Sequence, residues 1–493
     1  MSEYSKYRLT EIFPGVMVWS TLLAVIVLSF VAPFWVVCFI IVYDFFWFLR
    51  VVNFSIHILA TYLKYKKTAK INWLEKVSAL PKFPEVWHLI FLPTYKESID
   101  IIRATFNALL ESKYPKDKFI IVLAGEERDK ENFLKISEEI KREYENKFGH
   151  LIITLHPKDL PDEIPGKGSN LNYAGHCVKE KIDELGIPYE NIIVSSFDVD
   201  TCVHPQYFAY LTYVYLNHPK PTHASYQPMA FYNNNIWDAP FLTRVSAFGT
   251  TFWLMMELGR PERLVTFSSH SMSFRALVDI DFWQKDIVTE DSRIFFQCLL
   301  RYHGDYSVVP LYLPVSMDAP VSKGQIKSLI ALYKQQRRWA WGIEHFPYLV
   351  KNFAKDKLAP LKTRIKFIWN SWEGMYSWAT APLLISLGGQ LPLYFASWEK
   401  RSEVIFQNAP YILQYLMMIA MIGAALSAIL SLLLLPQCPK QFSFWKYFVM
   451  IFQWIFVPVT FVLFGSIPAV DAQTRLMLKK YLGFNVTEKL RKL

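Results

Sequence analysis

The sequence predicts an α/β domain held between membrane helices. Three observations predict it: long uncharged apolar stretches near both ends, strands alternating with amphipathic helices between them, and acids placed where such strands end. The 493 residues are 52% hydrophobic and 16% aromatic, and only 19% are charged. That is too apolar for an ordinary soluble protein, and long enough for a soluble domain plus several spans.

Between Ile12 and Leu63 the only Asp, Glu, Lys or Arg residues are Asp44 and Arg50. The stretch is roughly twice the ~20 residues one span needs, so residues 12–63 read as a transmembrane hairpin turning near Ala32-Pro33. A cleaved signal peptide would have a far shorter apolar core and a small-residue cleavage site. Lys6 and Arg8 precede the hairpin, and Lys64, Lys66, Lys67 and Lys70 follow it. The positive-inside tendency places both ends, and the soluble region that follows, in the cytosol. A net charge of +10 suits contact with anionic lipid headgroups and an anionic substrate. No basic run or nucleic-acid-binding motif is present, so nucleic acid is not expected as a partner. Five cysteines, at 38, 177, 202, 298 and 438, show neither CxxC nor zinc spacing and read as reduced.

Residues 84–320 form the soluble domain. Strands are expected over 86–92, 119–123, 151–155 and 192–197, and helices over 99–112, 131–147 and 169–181, giving a largely parallel sheet. The apolar run Ile192-Ile193-Val194 leads into Asp198-Val199-Asp200. Ligands of such sheets sit beyond the carboxyl ends of the strands. The two acids there suit a divalent cation bridging a diphosphate, or a cap for the helix expected near Pro205. Pro93-Thr94-Tyr95-Lys96-Glu97 suits nucleotide contact, or is plain turn chemistry. Gly166-Lys167-Gly168-Ser169-Asn170-Leu171-Asn172 puts a lysine at a helix N-terminus, where anions bind; its other reading is a flexible surface turn.

Thr289-Glu290-Asp291 opens the helical segment 292–302. Thr289 is a good N-cap, and acids in a first turn favour the helix dipole. Residues 323–365 then form amphipathic interfacial helices. Gln335, Arg338 and Trp339 share one face by their i, i+3, i+4 spacing. Ile326, Leu329, Ile330, Tyr333, Ala340 and Ile343 recur at helical spacing, with Lys327 and Lys334 alongside, as suits a membrane surface. Over 366–470, three uncharged apolar stretches follow, at 374–398, 404–439 and 447–470. Three full spans would carry the basic tail, residues 471–493, to the outside, against the charge rule. The stretch 447–470, which contains Pro458 and Pro468, is therefore expected to be interfacial or re-entrant, leaving the tail cytosolic.

Taken in order, these motifs resemble the membrane-embedded family-two glycosyltransferases: cellulose synthase, hyaluronan synthase, chitin synthase and relatives. Phe484-Asn485-Val486-Thr487-Glu488-Lys489 is similar to the FxVTxK gating loop of cellulose synthases. The resemblance implies a GT-A-type (Rossmann-like) cytosolic catalytic domain in a multi-pass cell-membrane protein. It implies a nucleotide-sugar donor with Mg2+ or Mn2+, a UDP-sugar favoured over a GDP-sugar, and a glycan or lipid acceptor. Carried over by residue, Thr94, Tyr95 and Glu97 would contact the nucleoside and Lys167 the diphosphate. Asp200 and Asp198 would serve the metal, Asp198 also touching the donor. Asp291 would be the general base within the catalytic triplet Thr289-Glu290-Asp291. Gln335, Arg338 and Trp339 would hold the diphosphate and the acceptor end. One motif departs from the pattern: the family's Asp-Asp-Gly is replaced by Ala124-Gly125-Glu126-Glu127, with Glu126 as the substitute at one residue's offset.

Chemistry agrees with that assignment. Sugar transfer needs positive charge at the leaving diphosphate and a base for the acceptor hydroxyl on the opposite face, which inverts the anomeric carbon. The expected function is extension of a polysaccharide, processive and coupled to translocation. Transfer of one or a few sugars to a lipid is the enzymatic alternative, and a non-catalytic scaffold of a synthase complex is the alternative of another class. Carriers usually concentrate their sites in repeated spans, which this chain does not show.

Overall fold

The structure, a computed structural model, describes residues 2–395, 404–439, 445–483, 489 and 491. Its centre is one eight-stranded sheet: β1 (Trp87–Pro93), β2 (Phe119–Glu126), β3 (His150–His156), β4 (Ile192–Ser196), β5 (Cys202–Val203), β6 (Ala224–Phe231), β7 (His270–Ser273) and β8 (Ser307–Ser316). The spatial order is β3-β2-β1-β4-β7-β6-β8-β5. β1 lies parallel between β2 and β4, with Ile90 opposite both Ile121 and Ser195. Leu89, Ile90, Phe91 and Leu92 are fully buried, as a strand covered on both faces requires. The covering helices carry apolar stripes at helical spacing: Ile102, Phe106 and Leu109 on Ile99–Glu111, and Phe133, Ile136, Ile140 and Tyr144 on Lys130–Tyr144.

The expected parallel pairing runs through β3-β2-β1-β4 and recurs between β6 and β8. β7 enters antiparallel to both β4 and β6, and β5 is antiparallel to β8, so the sheet is mixed. The missed strands lack an apolar run. β7 is His270-Ser271-Met272-Ser273, whose buried hydroxyls are satisfied laterally, Ser271 with Ser195 at 2.8 Å. β6 contains Gln227 and Pro228, and the ladder to β8 slips register at Pro228/Met229.

Among the described residues four helices are long and apolar enough to cross a membrane: Glu3–Val31, Pro33–Thr68, Val404–Leu433 and Trp445–Met477. Ala32 alone separates the first two. Arg50, within the apolar part of the second, pairs with Glu373. The carboxyl-terminal half departs from expectation. The stretch 374–398 is not one long helix but is divided among Leu361–Leu383, a wider π turn at Leu384–Gly388 and Gln390–Phe395, and residues 396–398 lie outside the described residues. The stretch 447–470, by contrast, belongs to the long run Trp445–Met477. Its prolines do not end that run. Pro458 and Pro468 each fall in the first turn of a helical piece, directly after an irregular turn, where a missing N–H is tolerated.

Candidate active site

The carboxyl ends of β1, β2 and β4 open onto a cavity with about 840 Å3 of empty space, continuous with solvent. Its walls bring together Thr94, Tyr95, Glu97, Glu126, Lys167, Asp198, Asp291, Gln335, Arg338 and Trp339, drawn from six separate stretches of sequence. Asp200, Thr289 and Glu290 stand behind those walls.

Lys167 opens the Lys167–Leu185 helix, and its neighbours fix that start. Asn170 Nδ2 donates to the Ala124 carbonyl at the end of β2, 2.8 Å away. Gly168 packs so closely that a Cβ would lie 2.9 Å from the Gln284 carbonyl, which only glycine allows. The Lys167 ammonium reaches Asp198 Oδ1 at 2.7 Å and both Asp291 oxygens at 2.9 and 3.0 Å. Burial alone would depress this lysine, but Asp198, Asp291 and Glu290 outweigh it and hold its pKa above the ordinary value. Burial would likewise raise Asp198, yet Lys167 and Lys489, with a 2.9 Å hydrogen bond from Ser268, keep it below the usual carboxylate range. Glu290 behaves oppositely. Burial and the neighbouring Asp291 push it up to about 8, against Lys167 and Arg338.

Thr289 occupies the N-cap position of the Glu290–Arg301 helix, but its side chain does not cap it. The hydroxyl donates instead to Glu344, which also accepts the Trp341 indole N–H at 2.9 Å. Beside them Arg293 Nε donates to His345 Nδ1 at 3.1 Å. The proton of that histidine must therefore sit on Nε2, 2.7 Å from Ser292 Oγ. Burial, reinforced by Arg293, holds the His345 pKa far below normal, so the ring is neutral. Two helices are thus bolted together beside Asp291.

At the end of β1, Glu97 accepts the Thr94 hydroxyl at 3.0 Å and the Tyr95 N–H at 2.5 Å, and burial pushes it up to about 7. Glu126 is buried at the end of β2 and held by Arg128 Nε at 2.8 Å, with that guanidinium 4.7 Å from the Tyr95 ring centre. An acid is present where Asp-Asp-Gly is missing. Opposite, the Trp339 ring lies 5.8 Å from that of Tyr232.

Asp200 is fully buried; its Oδ2 accepts the Asp318 N–H and its Oδ1 meets Lys489 Nζ, both at 2.7 Å. Residues 484–488 of the gating-like motif lie outside the described residues; Lys489 does not. The Lys489 ammonium is a stand-in cation, and oxygen-only donors suit Mg2+ or Mn2+. Among the described residues no three His, Cys, Asp or Glu side chains converge to hold a metal, so Asp200 and Asp198 would share one with a substrate's phosphates. Tyr232, Ser268, Asp318 and Lys489 as a site residue were not anticipated. Asp318 lies two residues beyond β8, so the strand-end logic that finds Asp198 and Asp200 finds it too, once β8 is known.

The mixed α/β sheet, its edge of carboxylates around one lysine and its flanking apolar helices define a glycosyltransferase of the GT-A type. Residues 193–467 match the family model for glycosyl transferase family group 2, and the chain belongs to that family. Similar solved structures include mannosyltransferase PcManGT from Pyrobaculum calidifontis in complex with GDP-Man and Mn2+, at 14% identity and TM-score 0.40, covering 75% of this chain and 98% of that one. Another is S. aureus TarS 1-349 in complex with UDP-GlcNAc, at 12% identity and TM-score 0.36, covering 70% of this chain and 90% of that one. No curated protein matches the chain.

Proposed function

We propose that this glycosyltransferase moves a sugar from a nucleotide-sugar to the growing end of a polysaccharide, with inversion, and passes the product through its own membrane helices. The observation that carries the reading is the position of Lys167, one buried ammonium shared by Asp198 and Asp291. A diphosphate entering beside Asp198 competes for that ammonium. Asp291 is then released to take the proton of the acceptor hydroxyl, while Lys167 and Arg338 neutralise charge on the departing diphosphate. Asp200 and Asp198 would hold Mg2+ or Mn2+, whose chemistry there is further charge neutralisation.

Thr94, Tyr95, Glu97 and Glu126 line the nucleoside end, and Trp339 with Tyr232 offers an aromatic platform for the acceptor sugar. Four candidate spans among the described residues, an even number, would return the tail to the side of the catalytic domain, and the basic flanks favour the cytosol for that side. Ile326 and Ile330, 74% and 51% exposed, together with exposed Leu361, Ile365 and Trp369, give the following helices an apolar surface suited to the bilayer.

Asp291→Asn tests the reading. Donor affinity should survive while sugar transfer falls by about two to four orders of magnitude, the worth of a positioned base. If the acid only stabilised its helix, the variant would lose up to about 1 kcal/mol of stability and still turn over normally.

A further inference from the structure

The apolar run Trp445–Met477 contains a single acid, Asp471. An acid in so apolar a helix is costly unless paired, and its partners show what it holds. One turn further along the same helix, Arg475 Nε lies 2.7 Å from Asp471 Oδ1 and already balances the charge. The second oxygen reaches across to another element. Oδ2 accepts Arg337 Nη1 at 2.9 Å and the Tyr333 hydroxyl at 3.1 Å, both from the Gln325–Ala340 helix. Arg337 Nε is enclosed without a hydrogen-bond partner among the described residues, so Asp471 is the anion that orients this guanidinium.

Tyr333 and Arg337 stand one turn apart and share a face, whereas Gln335, Arg338 and Trp339, in the same turns, line the cavity. The piece that carries Asp471, Ile467–Met477, is itself fixed. Gln473 Nε2 donates to the Met375 carbonyl and Trp19 Nε1 to the Thr474 hydroxyl, both at 2.9 Å. A Cβ at Gly15 would lie 2.8 Å from Met477 Cβ, so the first helix seats directly against that piece. A site keeps its geometry when contacts behind it lock the side chains that form it. We infer that Asp471 is a positioning residue: through Arg337 and Tyr333 it sets the turn that aims Arg338 at the distal phosphate of a nucleoside diphosphate. The inference rests on the proposed role of Arg338 at the diphosphate.

The probes are UDP and GDP with Mn2+, and UMP and GMP, titrated by calorimetry into the full-length protein in lipid. Whichever diphosphate the unsubstituted protein binds should bind Asp471→Asn about tenfold more weakly, the worth of one hydrogen bond to a charged group. Arg337→Gln should lose a similar factor, and the double variant no more than the weaker single, as one coupled unit requires. Asp471→Glu should recover most of the affinity. The matching monophosphate lacks the distal phosphate, so its affinity should stay within about twofold in every variant. Equal losses for monophosphate and diphosphate, or additive losses in the double variant, would overturn the positioning role. Arg338→Gln separates the two readings. If it loses diphosphate affinity while Asp471→Asn and Arg337→Gln do not, the positioning role falls and the diphosphate role of Arg338 stands. If Arg338→Gln binds the diphosphate normally, or the unsubstituted protein binds neither UDP nor GDP, both fall.

Discussion

Glu290 and Asp291 are neighbours in opposite surroundings, and burial separates them. Asp291 faces the cavity and the Lys167 ammonium, whereas Glu290 is almost fully enclosed and 3.9 Å from that ammonium. Glu290 keeps its proton in the folded chain up to about pH 8, while the ordinary value in an unfolded chain is 4.5. Between those two values the folded state binds the extra proton, so stability falls as pH rises through the window and levels off above it. Glu290→Gln removes that dependence. Its stability relative to the unsubstituted protein should climb from about pH 5 to pH 8, by up to about 5 kcal/mol, and then stay constant. Thermal scans across that range check it, and a pH-independent difference would contradict the protonated state of Glu290. At this scale the sequence reveals residues that end recognisable strands: Asp198, Asp200 and Glu126 stand out because apolar runs precede them. Asp318 does not, because Pro310 and Pro314 break up the strand before it.

The Glu290–Arg301 helix and the Gln325–Ala340 helix must keep a fixed spacing, since one starts at Asp291 and the other presents Gln335, Arg338 and Trp339. Glu344, just beyond the second helix, makes that link through Thr289 and Trp341. Both partners donate, one to each oxygen, against a burial that raises the pKa of this side chain. Glu344→Gln presents an amide N–H to one donor and should loosen the turn. Sugar transfer should drop roughly tenfold to a hundredfold, the effect of a small misplacement, with donor affinity changed less than twofold. Measuring transfer rate and donor affinity together checks it; equal losses in both would mean a general disturbance of the cavity. Periodicity exposes helices of this kind readily, but the Thr289–Glu344 bond joins side chains 55 residues apart and no local pattern announces it. The same limit hid half of the sheet. Strands β1 to β4 announce themselves by apolar runs, whereas β6, β7 and β8 gain their burial from neighbours and carry serine, glutamine and proline.

At the scale of the whole molecule, the α/β glycosyltransferase domain and, among the described residues, four helices long and apolar enough to span a membrane are joined by contacts deep in the fold. Thr61 of the second helix donates to the Met255 carbonyl at 2.8 Å, and Arg337 beside the cavity pairs with Asp471 of the last helix at 2.9 Å. Motion of the helices and motion of the cavity wall are therefore not independent. Hydropathy alone located the amino-terminal pair, because those stretches are continuous. Toward the carboxyl terminus helix limits and apolar limits part: residues 374–395 are divided among several helical pieces, and 447–470 lies within Trp445–Met477. The central claim, sugar transfer from a nucleotide-sugar within this assembly, is tested most directly by offering the purified protein in lipid a panel of UDP- and GDP-sugars and weighing the products. One donor should be consumed with release of its nucleoside diphosphate and a ladder of products spaced by a single sugar mass; a folded protein that consumes none of them, with Mg2+ or Mn2+ present and acceptor supplied, would contradict it.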